Sequence, residues 1–125
     1  MRIQAFPNRE FTVCKPLAWR PEWLEAEFCF VAKTDEELSL VCETTGAPND
    51  AAVREDGWRM FRVAGVLEFS LTGIMAHLSG LLSARDISLF AVSTFNTDYI
   101  FVRSWDYESA VSAFTDGGND IEVCV

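Results

Sequence analysis

Two short polar segments carry the side chains of this chain that are best suited to chemistry. The first is Leu67-Glu68-Phe69-Ser70-Leu71-Thr72-Gly73. Ser70 is a residue type that caps helices by accepting a hydrogen bond from the backbone N–H of Thr72 or Gly73. The first N–H groups of a helix have no intrahelical acceptor and lie at the positive end of its dipole, so a carboxylate or phosphate binds well there. The alternative is that Ser70 is only a cap and Gly73 only a close-packing residue.

The second segment is Ser93-Thr94-Phe95-Asn96-Thr97-Asp98. It joins two runs, 87–92 and 99–102, that are rich in β-branched and aromatic residues and therefore indicate strands. Asn96 and Asp98 suit an ordinary tight turn, which is one sufficient explanation. The other explanation is a site for a cation. Asp98 would hold an ammonium or guanidinium group, with the carbonyl or hydroxyl of Thr94 alongside.

Other residue types that commonly do chemistry form no recognisable set. The single histidine, His77, has no serine, cysteine or acid placed to form a triad with it, so we expect a boundary or interface residue and no catalytic residues. The cysteines are far apart in sequence and include no Cys-x-x-Cys pair, so we expect buried free thiols and no metal site or cofactor. They are Cys14, Cys29, Cys42 and Cys124.

The two polar segments need a helix and a hairpin to position them. Ile74, Leu78, Leu81 and Leu82 recur at the spacing of one helical face, which predicts a helix over 71–84. A second helix is predicted over 105–114, where Tyr107, Val111 and Phe114 repeat, with Ser104 as its cap and Gly117-Gly118 at its end. Strands are predicted at 58–65, 87–93, 99–103 and 120–124. The resulting order is βαββαβ, a ferredoxin-like arrangement of the α+β class.

The sequence of the first part of the chain indicates a shorter version of the βαββαβ unit. Segments 3–6 and 11–15 indicate a hairpin around Pro7-Asn8-Arg9. Pro21 is placed to begin one helical turn, and strands follow at 27–33 and 38–42. Residues 44–57 are dense in turn-forming residues and are predicted to connect two lobes. We therefore predict a reduced lobe with its connector at 1–56 and a complete lobe at 57–125.

Composition limits the classes of partner. The chain has 125 residues, of which 50% are hydrophobic, so it is long enough to fold around a core. A formal net charge of −9 argues against nucleic acid and against an anionic membrane surface as partners. No secretory signal and no stretch of about 18 apolar residues is recognisable, so the expected location is the cytoplasm.

The two polar segments and their flanks also resemble a known family. The pattern from Trp58 through Val63-Ala64-Gly65 to Gly73-Ile74, followed by 87–99, is similar to the tandem ACT-domain proteins related to the CASTOR amino-acid sensors. Two departures are Val66, where a proline is common in the relatives, and Glu68, where aspartate is the commoner acid. The resemblance implies two ferredoxin-like (ACT) lobes in tandem, the first reduced and the second a complete βαββαβ. Helices cover only one face of such a sheet, so we also expect lobe–lobe pairing or a homodimer to cover the other face or the edges.

The resemblance also implies a function and a set of site residues. ACT domains bind amino acids where two domains meet, beside the loop before the first helix, and so act as regulatory modules. Glu68 and Asp98 together indicate a basic amino acid, although either acid can equally cap backbone groups. The alternative is an assembly module with a degenerate site. An acylphosphatase-like enzyme would need an arginine in 65–73, which has none, so no enzyme is expected. The implied ligand-binding residues are Leu67, Glu68, Phe69, Ser70, Leu71 and Gly73 on one wall and Thr94, Phe95, Asn96 and Asp98 on the other.

Overall fold

A computed structural model of the chain describes residues 1–66 and 73–125. Within these residues, seven strands and two α-helices follow one another along the chain. Three short 3-10 turns lie between them, at Pro21–Glu25, Thr44–Gly46 and Ser104–Asp106. No helix in the described ranges is long and apolar enough to cross a membrane. The elements are β1 (Arg2–Lys15), β2 (Cys29–Lys33), β3 (Leu38–Glu43), β4 (Val53–Val63), α1 (Ile74–Ser83), β5 (Leu89–Ser93), β6 (Asp98–Arg103), α2 (Tyr107–Asp116) and β7 (Asp120–Val123).

The chain divides into two compact units. The split unit comprises Met1–Arg9 and Arg59–Val125, and the continuous unit comprises Glu10–Trp58. The sequence-based boundary between residues 56 and 57 lies two positions from the end of the continuous unit. It assigned the first nine residues to the first lobe, whereas here they cluster with the C-terminal part of the chain. That each unit is a separate ACT lobe stays a prediction.

The split unit contains the predicted βαββαβ order as β4, α1, β5, β6, α2 and β7. Its strands lie in the order β7-β1-β4-β6-β5. The first part of β1 thus lies between the first and last strands of the motif, where it pairs in parallel with β7 from Arg2 opposite Asp120 to Ala5 opposite Val123. A strand was predicted at 3–6, but its place beside β7 was not, because nothing local in 2–5 specifies a partner more than 100 positions away.

The core of the split unit lies between its sheet and the two helices. Every second residue of the strands faces the helices, as the pleat of a strand requires. The predicted stripe of α1 is confirmed, since Leu78 and Leu82 are fully buried and Ile74 and Leu81 pack beside them. Burial of this apolar surface is the main favourable term for the unit. The buried residues of this core cluster are Ile3, Ala5, Phe61, Val63, Leu78, Leu82, Ile87, Ile100, Val102, Ala110, Ala113 and Phe114.

The continuous unit is built on an antiparallel sheet. Strand β3 pairs with β1 from Phe11 opposite Glu43 to Cys14 opposite Leu40, and on its other side it pairs with β2. Trp23, on the 3-10 turn that begins with Pro21 as predicted, packs with Leu40 and two cysteines in a small core. This unit contains no α-helix.

Two predictions about the strands need correction. The hairpin around Pro7-Asn8-Arg9 is wrong, because β1 runs unbroken from Arg2 to Lys15. Pro7 has no N–H to donate, and the register with β7 ends at Ala5, so no bond to that strand is lost. The connector 44–57 is shorter than predicted, because β4 already begins at Val53.

The helix starts also differ from the predictions. Ser104 begins a 3-10 turn and does not cap α2, whose N-cap position is Asp106. The helix ends at Asp116 with Gly117 as its C-cap, and Gly117-Gly118 was the predicted stop. Ser70 and the predicted first helical residues 71 and 72 lie outside the described residues, and α1 begins at Ile74 with Gly73 as its N-cap.

Candidate functional site

The turn between β5 and β6 is held by hydrogen bonds between two threonines. The Thr94 N–H donates to the Thr97 carbonyl at 2.9 Å, and the Thr94 hydroxyl donates to the same carbonyl at 3.0 Å. The Thr97 N–H is 3.4 Å from the Thr94 hydroxyl oxygen, which accepts from it. These bonds leave Phe95 and Asn96 at the tip of the turn, where both are exposed. The turn is therefore closed by its own backbone and Thr94.

Thr97 also joins the turn to the end of β4. Its side chain is 4% exposed, and its hydroxyl donates to the Val63 carbonyl at 2.7 Å. Val63 is the last residue of β4, and the segment leading towards α1 starts at the next position. The bond thus fixes the β5–β6 turn beside the end of β4.

Asp98 lies at the base of the same turn, opposite Ser93. The two residues are cross-strand partners in the antiparallel register of β5 and β6. The Ser93 hydroxyl donates to Asp98 Oδ1 at 2.6 Å, and Asp98 is half-buried while Ser93 is exposed. One carboxylate oxygen is oriented by this bond. A carboxylate held in this way at a half-buried position is suited to accept hydrogen bonds from a cationic group.

The start of α1 is the described part of the second wall. Gly73 has a φ of 83°, a left-handed conformation that glycine adopts without the steric cost of a Cβ. Its carbonyl accepts the His77 N–H at 2.8 Å, which is the first intrahelical bond. Ile74, Met75 and Ala76 occupy the first turn, where backbone N–H groups have no intrahelical acceptor. In the described residues no side chain caps this helix start.

The structure thus places half of the predicted site residues. Thr94, Phe95, Asn96 and Asp98 lie on one turn, and Gly73 is the N-cap of α1. The predicted residues Leu67, Glu68, Phe69, Ser70 and Leu71 lie outside the described residues. Ser93 and Thr97 were not predicted as site residues, although Ser93 orients Asp98 and Thr97 anchors the turn.

A second hairpin in the chain shows which of these residues the turn itself needs. Strands β2 and β3, followed by the 3-10 turn Thr44–Gly46, match β5, β6 and Ser104–Asp106 with the same lengths, sixty positions earlier. Thr34 has the place of Thr94, and its N–H donates to the Glu37 carbonyl at 2.9 Å in the same way. Its hydroxyl accepts the N–H groups of Glu36 and Glu37 at 3.1 Å. A comparison of these two segments of the sequence would have identified Thr34 and Thr94 as turn residues.

The two hairpins differ where Ser93 and Asp98 lie. The equivalent cross-strand partners in the first hairpin are Lys33 and Leu38. The Lys33 ammonium donates to the Thr34 carbonyl at 2.6 Å, so the position that holds a hydroxyl in one hairpin holds a cation in the other. The same turn therefore forms without an acid at its base. Closing the turn does not account for the pair of Ser93 and Asp98.

The other candidate groups lie elsewhere in the described residues. His77 is exposed, and its Nε2 lies 3.2 Å from the Asn119 amide nitrogen, as expected of a boundary residue. No group of His, Cys, Asp and Glu side chains in 1–66 and 73–125 could hold a metal ion. An open cavity of about 390 Å³ contains none of the predicted site residues and is lined by Arg85, Ile87, Asp106, Glu108, Ser109 and Ser112.

The chain matches the model of a known protein family. A family model for the ACT domain matches residues 53–116, which is just over half of the chain. The chain belongs to the ACT domain family. The matched segment begins with β4, ends with α2 and contains the β5–β6 turn, so the ACT family pattern covers the described part of the candidate site.

Curated relatives match a shorter stretch. The cytosolic arginine sensor for mTORC1 subunit 1 of Homo sapiens is 48% identical over 46 residues, and the sensor of Rattus norvegicus is 46% identical over the same length. The match covers 36% of this chain but only 14% of each sensor. The ACT domain protein described here thus corresponds to a small part of these relatives.

Solved structures extend the similarity to nearly the whole chain. A crystal structure of a protein from Agobacterium tumefaciens is 28% identical, with a TM-score of 0.86, and the match covers 99% of this chain and 93% of that one. Aspartokinase III of E. coli, solved in complex with aspartate and ADP, has a TM-score of 0.59 at 13% identity. That match covers 93% of this chain and 32% of the aspartokinase, and at this identity it shows a shared fold.

Proposed function

We propose that this protein is a non-catalytic regulatory module that binds an amino acid between the β5–β6 turn and the segment before α1. The observation that carries the proposal is the pair of Ser93 and Asp98, joined at 2.6 Å at the base of a turn. The equivalent hairpin makes its turn with Lys33 and Leu38 at these positions. A carboxylate that the turn does not require, oriented by a hydroxyl, is suited to bind a cationic group.

The proposed chemistry divides the ligand between the two walls. Asp98 accepts from the ammonium group or a cationic side chain, with the half-buried Thr94 beside it. The carboxylate of the ligand lies at the start of α1, where N–H groups without intrahelical acceptors and the helix dipole favour an anion. The bond from Thr97 to Val63, at 2.7 Å, supports this division because it holds the turn beside the segment that leads to α1. Leu67, Glu68, Phe69, Ser70 and Leu71 complete the proposed site.

The proposed ligand is a basic amino acid, and arginine is the first candidate. Asp98 supports this choice, and so does the curated relative that is described as a cytosolic arginine sensor. By the same comparison we propose that the protein acts in the cytoplasm. We also propose that it works as a homodimer and that ligand binding changes the preferred arrangement of its lobes or subunits, which is how binding at one site can alter an interaction at another.

A thermal-shift screen against the common amino acids, followed by calorimetry, tests the proposal. A ligand that binds only the native state raises the melting temperature. We expect Asp98→Asn to weaken binding of the hit by about 10- to 100-fold, because a hydrogen bond to a charged group contributes about 1.5–3 kcal/mol. Asp35→Asn is the matched control, since it removes the same charge from an exposed turn position of the other hairpin.

The outcomes separate the proposed functions. Binding that is lost in Asp98→Asn and kept in Asp35→Asn supports the proposed site. Binding that both variants keep would place the ligand elsewhere. If no amino acid shifts the melting temperature, the assembly module becomes the better explanation. Sedimentation would then show an oligomer of the same size with and without amino acids.

A further inference from the structure

A pair of cysteines lies directly opposed in the continuous unit. In the antiparallel register of β2 and β3, Cys29 is the partner of Cys42. Side chains of directly opposed residues point to the same face of the sheet, so the two thiols are neighbours. Neither cysteine is in the ACT family match, which begins at residue 53, and neither has a part in the proposed amino-acid site.

The hydrogen bonds of the turn give the type of this cross-strand pair. The Thr34 N–H donates to the Glu37 carbonyl at 2.9 Å, which makes Thr34 and Glu37 a hydrogen-bonded pair. Pair types alternate along an antiparallel ladder. Five steps separate this pair from Cys29 and Cys42 in the continuous register, so the cysteines form a non-hydrogen-bonded pair. The Cα atoms of such pairs are about 4.5 Å apart. This distance is at the short end of the range that a disulfide spans.

The surroundings of the two thiols differ. Cys42 is buried in a small core with Cys14, Trp23 and Leu40, whereas Cys29 is half-buried at its border. In the sheet formed by the described residues, β2 is the terminal strand beside β3, so Cys29 is on an edge strand. A small reagent therefore reaches Cys29 first. Cys14 is opposite Leu40, so it is the diagonal neighbour of Cys42 and the competing partner for it.

We infer that Cys29 and Cys42 form a reversible cross-strand disulfide when the protein meets a low-molecular-weight disulfide as oxidant. The Cys29 thiolate attacks the small disulfide, forms a mixed disulfide and releases one small thiolate. The Cys42 thiolate then attacks Cys29 Sγ and releases the second small thiolate. The two protons that the cysteines give up are taken up by the released thiolates, and two electrons pass from the protein to the oxidant. In a reducing compartment the dithiol form is the resting state.

The burial of the thiols makes the reaction slow and dependent on pH. Burial raises the pKa of Cys42 to about 12, with smaller contributions from Cys14 and Cys29, and it also raises the pKa of Cys29 above its ordinary value of 9.0. The thiolate is the attacking species, and its fraction grows about tenfold per pH unit below the pKa. We expect the bond to form much faster at pH 9 than at pH 7.

The test is to treat the purified wild-type protein with oxidised glutathione, alkylate the remaining thiols and map the peptides. A glutamate-specific protease is required, because Lys15 and Arg20 precede prolines and trypsin would leave Cys14 and Cys29 in one peptide. Cleavage after glutamate separates segments 11–22, 28–36 and 38–43, each with one cysteine. We expect 28–36 linked to 38–43, a mass loss of about 2 Da for the protein, and reversal by dithiothreitol.

Three variants sharpen the test. Cys14→Ala and Cys124→Ser should form the same linked peptide as the wild type. Cys42→Ala should stop at a glutathione adduct on Cys29, which would demonstrate the first step alone. A link between Cys14 and Cys42, an adduct on Cys29 in the wild type that never resolves, or no reaction at pH 9 while the protein stays folded by circular dichroism would each overturn the assignment.

Discussion

Replacement of Thr97 by valine tests how firmly the β5–β6 turn is anchored. Valine has nearly the same shape as threonine but lacks the hydroxyl that donates to the Val63 carbonyl at 2.7 Å. Thr97 is 4% exposed, so water cannot easily replace this donor. A buried acceptor left without a partner costs about 1–3 kcal/mol, and we expect Thr97→Val to lower the free energy of unfolding by about 2 kcal/mol.

Urea denaturation measures this loss. With a slope of about 2 kcal/mol per molar urea, the unfolding midpoint should fall by about 1 M. Thr97→Ser keeps the hydroxyl and removes only a methyl group, so its midpoint should lie between those of the wild type and Thr97→Val. The reasoning is refuted if Thr97→Val unfolds at the same urea concentration as the wild type, or if serine costs as much as valine. If the proposed site is correct, Thr97→Val also weakens amino-acid binding, and Thr97→Ser restores it.

Two further predictions concern backbone conformation and pH. Gly73→Ala should destabilise the protein by about 1–2 kcal/mol in the same urea assay, because the φ of 83° at Gly73 suits glycine. Gly80 lies inside α1 with open space around it, so Gly80→Ala should stabilise the protein by about 0.5–1 kcal/mol. Hydrogen bonds from Arg54 and Thr12 hold the pKa of Asp56 below its ordinary value of 3.8. Asp56 thus contributes stability that is present above that value and is lost as the pH falls through its lower folded pKa. Asp56→Asn should therefore be less stable than the wild type at pH 6, and the difference should shrink below about pH 4. A constant difference between pH 6 and pH 2 would contradict this assignment.

The sequence predicted the elements whose signals are local. The stripe of Ile74, Leu78 and Leu82 predicted α1, and two apolar runs around a polar turn predicted β5 and β6, because helical and strand periodicities are written within a few residues. The insertion of β1 beside β7 was missed because pairing between distant segments leaves no local pattern. For the same reason the hairpin at Pro7 was predicted wrongly.

The candidate site was predictable to a similar extent. Clustering of polar residues identified the turn with Thr94 and Asp98, and the resemblance to ACT domains supplied its expected role. The anchoring role of Thr97 depends on the Val63 carbonyl, which is 34 positions away and belongs to the backbone, so no side-chain pattern could reveal it. The difference between Ser93 and its counterpart Lys33 depends on the strand registers, which pair Ser93 with Asp98 and Lys33 with Leu38.

The parallel pairing of 2–5 with 120–123 has a consequence for biosynthesis. The split unit needs segments from both sides of the continuous unit, so its sheet cannot close before the ribosome has released residue 123. Residues 10–58 have all left the exit tunnel well before that point and can collapse on their own. Until β7 has been synthesised, the N–H and C=O groups on one edge of β1 have no strand to pair with. In this state the emerging chain is most prone to pair with a wrong strand and to bind chaperones.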